Sequence, residues 1–397
     1  MNEHFLGRAR LETKAQWQRH GLTEVSDDCV PAPGQTTCNK VKDKVAFDLA
    51  LNTGTVDVML HQAATEALSG TIGVSGMYQT SASTGPIFLV PGATANAAGA
   101  FAFEQVDLGM LTVVAGTRAD HKSLSSDAQP EIQRAADARS WNATTANVGL
   151  SLRPISHLAF TTNYAAGWRA PTLFDLYANG PNLAEGRFEI GDPALRSERS
   201  HNVEGGIRWL SDRVNADIAV FYNSVDDFIF TTPTASTQNG LAVFRHTQAD
   251  AMISGADAEL SWRPTSVLTL RGEYDFVRGS DRVNSTPLPL MPPPRSIVGA
   301  DAALGTMAGF RNTSVGAEVE VDQKQTRLSP FDFPTDGYSL LNMRASSYRS
   351  VRSREVHLDL HVRNALNTTY RDYLSRFNRF ANAPGINVTL KASAGAW

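Results

Sequence analysis

The chain predicts an all-β fold, an antiparallel transmembrane β-barrel, on three observations. Apolar and polar residues alternate for about ten residues at a time, and each stretch closes on a turn signal. The connections between stretches come in two lengths, short and long, in alternation, as in barrels with short turns at one rim and long loops at the other. No uninterrupted apolar run reaches the roughly 18 residues that a spanning helix needs, whereas a barrel strand turns only alternate residues to lipid.

Strands are expected near residues 5–20, 41–61, 69–80, 98–106, 109–118, 142–153, 156–168, 200–210, 214–229, 251–263, 267–278, 295–304, 309–321, 337–348, 354–364 and 386–397, about sixteen in all. The run over 157–168 breaks at Arg169-Ala170-Pro171, where proline removes a ladder donor. Over 214–222, Val214, Ala216, Ile218, Val220 and Tyr222 oppose Asn215 and Asp217. Over 256–262, Ala256, Ala258, Leu260 and Trp262 oppose Asp257, Glu259 and Ser261. Leu268, Leu270, Tyr274 and Phe276 oppose Thr269, Arg271, Glu273 and Asp275. Near the end, Val356, Leu358, Leu360 and Val362 point one way, and Glu355, His357, Asp359, His361 and Arg363 the other.

Short connections are RPIS (153–156), LSDR (210–213) and RPTS (263–266). Long ones fall near 21–40, 81–97, 119–141, 169–199, 230–250, 279–294, 322–336 and 366–385. Unstructured loops of this length are uncommon in compact soluble domains. No helical period competes, and no linker or compositional step divides the chain, so residues 1–397 read as one domain.

The net charge of −4 gives no basic face for nucleic acid. No nucleophile elbow, phosphate loop, zinc-protease helix or paired-carboxylate motif stands out, so neither catalysis nor a cofactor is expected. The two cysteines, Cys29 and Cys38, share a turn-rich segment, which suggests a loop disulfide in an oxidising compartment. The N-terminus has no basic region followed by an apolar core, so no signal peptide is visible.

Residues 163–206 are the most specific stretch. Trp168, Arg169, Ala170, Pro171, Thr172, Leu173, Leu176, Tyr177 and Gly180 form one signature. About 20 residues on, Gly191, Asp192, Pro193, Leu195, Glu198, Ser200, Asn202 and Gly205 form a second. Together they resemble the motifs that flank an outer loop in the TonB-dependent receptors of Gram-negative outer membranes. GTIGVSGMYQTS (70–81) followed by VPGAT (90–94) looks like one of that family's hairpins, and HTQADAMISGADAELSW (246–262) like one of its strands. The closing motif is matched by Asn364, Leu366, Asn367, Tyr370, Pro384 and Gly385. The resemblance implies an outer-membrane barrel that takes part in TonB-dependent uptake of a scarce ligand. Its pattern is closest to the metal-importing branch, so the ligand class is a metal ion, a metal chelate, a siderophore or haem. Ligand would bind between outer loops and the top of a plug, and the expected form is a monomer in outer-membrane lipid.

The family's plug and TonB-contacting box do not show in the sequence. About sixteen strands also stand against the about 22 of family members, so the chain reads as the C-terminal part of a 22-stranded parent. At the C-terminus, Trp397 is of opposite parity to Ile386, Val388, Leu390, Ala392, Ala394 and Ala396, which a bulge would correct.

Candidate ligand residues on outer loops or outer strand ends are His20, Asp120, His121, His246 and Tyr370, since carboxylate and imidazole suit a hard-to-borderline metal. Asp120 and His121 are expected to open a long loop. His157, His357 and His361 fall on expected lumen-facing strand positions. Trp168, Phe221, Tyr222, Trp262, Tyr274 and Phe276 are candidates for an interfacial girdle. Two rival readings are a passive porin-like channel of about sixteen strands and a soluble β-sandwich or solenoid binding module.

Overall fold

The computed structural model describes residues 2–7, 9–25, 45–62, 65, 67–351 and 354–394. In chain order its strands are β1 (Asn2–Leu6), β2 (Ala9–Val25), β3 (Val45–His61), β4 (Leu68–Thr84), β5 (Ala93–Asp107), β6 (Leu111–Ser126), β7 (Asp137–Ile155), β8 (Leu158–Arg169), β9 (Asn179–Asn182), β10 (Arg187–Ile190), β11 (Glu198–Leu210), β12 (Val214–Gln238), β13 (Leu241–Trp262), β14 (Leu268–Asp281), β15 (Thr286–Pro287), β16 (Arg295–Met307), β17 (Phe310–Asp322), β18 (Tyr338–Val351), β19 (Arg354–Arg363) and β20 (Asn387–Ala394). One short helix, α1 (Leu173–Tyr177), lies between β8 and β9, and Pro130–Ile132 form a 3-10 turn. The fold is all-β as expected, and each of the sixteen predicted strands has a counterpart of eight or more residues.

Two expected loops are largely strand. β6 runs to Ser126, so Asp120 and His121 do not open a loop. They pair with Gly99 and Ala98 in mid-ladder and point to opposite faces. The segment expected as a loop near 230–250 is the far half of a hairpin, β12–β13, turned by Asn239 and Gly240 at φ 52° and 78°. The physical reason is common to both. Beyond an oily environment a strand carries polar residues on both faces, so the alternation fades while the backbone ladder continues. His157 is likewise displaced: it sits in the turn between β7 and β8, where its Nδ1 lies 3.1 Å from the Leu210 carbonyl. Cys29 and Cys38, with Trp397 and Ala396, lie outside the described residues.

By contact the chain divides into two interleaved units. The first comprises residues 1–150, 163–202 and 224–251; the second, 151–162, 203–223 and 252–397.

In the first unit, β2 to β6 form an antiparallel meander with long unbroken registers. Arg10 pairs with His61 and Glu24 with Phe47 across β2–β3, and Leu68 with Val106 across β4–β5. The register sorts side chains into two faces. Val56, Ile72, Val74 and Tyr78 stand exposed on one. On the other are ion pairs: Lys14 and His61 with Glu12 at 2.7 and 2.9 Å, and Arg118 with Asp120 at 2.7 Å. The hydrophobic core of this unit lies on the polar-face side, under the segment after β8. There Leu176 and Tyr177 pack with Ala93, Ala95, Leu124 and Trp141, and Ala178 packs with Phe47, Leu49, Leu89 and Val90. Trp168 packs against the first of these clusters, which places it away from any girdle.

In the second unit β14, β16, β17, β18, β19 and β20 are paired antiparallel in succession. One row runs Val298, Val319, Leu341, and another on the same face, beyond that of Met343, runs Ala345, Leu360, Leu390. The alternation over 354–363 therefore marks a real face. Leu358, Leu360 and Val362 pair with Ala392, Leu390 and Val388, so the C-terminal apolar residues share that face. Tyr222, Trp262 and Tyr274 are exposed. Phe221 instead covers Gly255, where an added Cβ would come within 2.6 Å of its ring.

Candidate functional site

The strand β8 ends because Pro171 cannot donate to a ladder and because the residue before it is held extended. Thr172 then caps α1. Its hydroxyl accepts from the Asp175 amide at 3.1 Å, while the Asp175 carboxylate accepts from the Thr172 amide at 2.8 Å, a reciprocal capping box. The helix has five residues, and Leu176, Tyr177 and Ala178 are almost completely buried. Burying side chains such as Leu176 and Tyr177 contributes about 2 kcal/mol each.

Arg169 ties this segment down. Its Nε and Nη2 donate to the two oxygens of Glu198 at 2.8 and 2.5 Å, and its Nη1 donates to Asp175 at 3.0 Å. Glu198 also accepts from the Ile229 amide of β12 at 2.7 Å. The other oxygen of Asp175 lies 3.1 Å from Nδ1 of His246 on β13, whose Nε2 is 3.7 Å from Glu189 on β10. Glu189 is held in turn by Arg187 at 2.7 Å and by Asn182 at 3.0 Å. Acidic and basic side chains thus alternate along the row Glu198, Arg169, Asp175, His246, Glu189, Arg187. The row joins β8, α1, β10, β11, β12 and β13. β10 itself pairs in parallel with β13, Glu189 opposite Phe244.

Burial pushes the Asp175 carboxyl up. Its hydrogen bonds with His246 and Thr172, with the Arg169 charge, more than offset this and hold it well below the usual carboxylate range. Glu189 is likewise lowered, burial being outweighed by His246 and Arg187. Tyr177 is pushed up to about 12 by burial and by Asp137, to which its hydroxyl donates at 2.8 Å.

Two motif glycines are dictated by close approach. A Cβ at Gly180 would meet the Phe88 carbonyl at 2.0 Å, and one at Gly191 would meet the Leu176 backbone at 2.7 Å. Arg134 braces the backbone after α1, donating to the carbonyls of Tyr177, Ala178 and Gly191 at 3.1, 2.7 and 3.0 Å. Ala170 and Pro171 are buried at the foot of the row.

The structure brings only some of the candidate residues together. His246 joins Arg169 and Glu198 in the row. His20 lies in β2 opposite Leu51, exposed. Asp120 is held by Arg118, which also reaches Ser75 at 2.7 Å, while His121 on the opposite face has Nδ1 2.9 Å from Asn142 Oδ1. Tyr370 lies in a loop as expected, with its ring 4.3 Å from that of Tyr338. Asn367 accepts from the Ile386 amide at 3.0 Å and lies 2.4 Å from where a Cβ of Gly385 would be, so Pro384-Gly385 is shaped by this turn. Among the described residues, no group of three or more His, Cys, Asp or Glu side chains is placed to hold a metal ion. Sequence reasoning missed Asp175, Glu189, Arg187 and Arg134. Only Asp175 carried a local signal, its spacing of three after Thr172; the others meet through long-range packing.

A family model described as TonB dependent receptor-like, beta-barrel matches residues 39–365. The vitamin B12 transporter BtuB of Vibrio vulnificus is 32% identical over 107 residues, 27% of this chain and 16% of that one. The hemin receptor of Yersinia pestis is 25% identical over 187 residues, 43% of this chain and 26% of that one. Among solved structures, the copper transporter OprC superposes with a TM-score of 0.76 at 16% identity, covering 97% of this chain and 62% of that one. An FrpB iron transporter from Neisseria meningitidis gives 0.71 at 15% identity, covering 97% and 60%. The chain therefore spans about three-fifths of these solved structures and a smaller share of the curated relatives.

Proposed function

The chain belongs to the TonB-dependent receptor β-barrel family of outer-membrane proteins, and from that premise we propose that residues 1–397 supply one domain, the wall and outer loops of a transporter for a scarce ligand. The ligand class is a metal ion, metal chelate, siderophore or haem, with energy delivered through TonB in the intact system. The family is made up of transporters and receptors rather than enzymes. A passive porin is the less favoured reading, because the matched model is that of an energised receptor.

The single observation that carries the proposal is the family match over 39–365. The ordered segment after β8 supports it. An outer loop that recognises ligand must hold a defined shape with little ladder of its own, and the Arg169 row provides that. Candidate ligand contacts are His20, Asp120, His121, His246 and Tyr370. His246 is the least available, since its ring is enclosed between Asp175 and Glu189.

The test is uptake. Cells making the chain, with and without TonB, are offered radiolabelled copper, iron citrate, haem or cobalamin as the sole source. Saturable binding of one of these at the cell surface, equal with and without TonB, supports the proposal, whereas TonB-dependent accumulation by this chain alone would show that it supplies more than wall and loops. Equal, non-saturable uptake of all of them in both strains points to a passive pore and overturns it.

A further inference from the structure

Two open grooves of the first unit lie on the apolar face of the β2–β6 meander. One groove of about 760 Å³ is bordered by Trp17, Val56 and Tyr78 and floored by Gly54, Gly76 and Ala98. A second, of about 750 Å³, shares Ala98 and His121 with it and continues past Val74, Ala100 and Ala119 to Asn142 and Arg199. The register explains the recess. Trp17, Gly54 and Tyr78 form one cross-strand row, and Ala15, Val56, Gly76, Ala98 and His121 the next. Glycine and alanine leave hollows where neighbouring positions raise large side chains. A Cβ at Gly76 would meet nothing within 4 Å.

The groove is graded from oily to polar. Trp17, Val56, Val74 and Tyr78 are 69%, 49%, 54% and 55% exposed. The row beyond Trp17 and Tyr78 is Arg19, Asn52 and Thr80. At the other end stand the exposed Arg199 and His121. Asp120 also borders this end, but its carboxylate turns to the opposite face and is held there by Arg118. An exposed cation, Arg199, therefore borders the same apolar trough.

We propose that this groove is a lipid site, taking an acyl chain of an anionic, phosphate-bearing membrane lipid with the phosphate against Arg199 and His121. The long apolar trough matches a hydrocarbon chain, and the cation matches a phosphate. The lipid site rests on the outer-membrane reading above but not on which ligand is imported.

The full chain, stripped of lipid in detergent, is titrated with phosphatidylglycerol or phosphatidylcholine and followed by native mass spectrometry. The wild type retains phosphatidylglycerol over phosphatidylcholine by about fivefold, the equivalent of about 1 kcal/mol for one arginine near a lipid surface. Gly76→Leu fills the floor and lowers retention of both lipids about tenfold. Leucine suits a strand better than glycine, so folding is preserved. Arg199→Gln, outside the floor, abolishes the preference and leaves phosphatidylcholine retention unchanged. Equal retention of the two lipids by the wild type, or unchanged retention in Gly76→Leu, overturns the lipid site. So does a wild-type dimer that Gly76→Leu converts to monomer, which would make the face a contact between copies. A chain that enters no phosphatidylcholine bilayer overturns the membrane reading as well; one that inserts but shows no preference overturns the lipid site alone.

Discussion

Arg169 and Arg344 each bind two carboxylates, yet they do different work. Arg169 holds Glu198 and Asp175, whose side chains are 11% and 12% exposed, and both carboxylates also accept backbone amides, Asp175 that of Thr172 before α1 and Glu198 that of Ile229 in β12. Arg344, in the second unit, holds Asp301 at 2.6 Å and Glu318 at 3.0 Å, both 25% exposed, with Arg271 adding a further contact to Asp301 at 2.9 Å. Its partners sit on β16 and β17, which a continuous ladder already joins to each other and to β18. In one region ion pairs tie down α1 and the short β9–β10 hairpin, which have little ladder of their own. In the other they decorate pairing that is already complete. Similar chemistry thus carries a different share of stability, according to whether the backbone beneath it has other partners.

The sharpest way to break this comparison is to remove each cation. Arg169→Gln leaves Glu198 and Asp175 buried without their counter-charge. We expect a cost of about 3 kcal/mol to the segment 170–197, at the low end for a broken buried pair because Arg169 itself is 42% exposed. Limited proteolysis should then cut within 170–197 while the long ladders of β2–β6 stay protected. Arg344→Gln should cost about 1 kcal/mol or less and open no new site. Equal protease sensitivity of the two variants would erase the distinction.

Packing gives the next largest effect. Gly191→Ala places a methyl 2.7 Å from the Leu176 backbone and 2.8 Å from the Asp175 carbonyl, so α1 must shift. The expected cost is about 1–3 kcal/mol, read as faster hydrogen exchange at the amides of Leu176 and Ala178. Gly76→Ala, which meets nothing, should leave exchange across β3–β5 unchanged.

These two regions were not equally legible in the sequence. The strands of the second unit were read nearly to their ends, because Val356, Leu358, Leu360 and Val362 alternate with charge and the ladder keeps that phase. The first signature, from Trp168 to Gly180, marked the segment after β8 but not its geometry. Family likeness singled out Arg169 and Glu198; nothing local says that they meet each other across 29 residues, or that His246 arrives from 71 residues beyond Asp175. Asp120 and His121 looked like a pair by adjacency and are separated by the pleat. The far halves of β12 and β13 looked like loop because polar residues there occupy both faces. Periodicity reports contact with an oily surface, so it is silent where a strand leaves that surface and where side chains rather than ladders set the fold.

Acid gives a graded test of the same row. The folded state holds the Asp175 carboxyl below its ordinary value, so its contribution is fully present above that value, about 4, and is lost as pH falls through the lowered folded value. Arg169 and His246 face it, from β8 and β13. Proteolysis within 170–197 should therefore increase below about pH 4 with an acid-stable protease. Asp175→Asn should be cut more readily at neutral pH and change less on acidification. A wild-type segment equally protected at both extremes would show that the carboxylate charge is not what holds it.

The smallest effect isolates the cap from the row. Thr172→Ala removes the hydroxyl that accepts from the Asp175 amide but leaves Arg169 and its two carboxylates in place. The expected loss is about 1 kcal/mol, the usual cost of an N-cap. It should appear as increased exchange confined to the Asp175 amide and its immediate neighbours, without new cleavage in 179–197. Thr172→Ser keeps the oxygen and should restore protection. If Thr172→Ala loosened the whole segment as much as Arg169→Gln, then the capping box, rather than the arginine, would be what organises the backbone here, and the contrast between the two arginines would reduce to a difference in helix start.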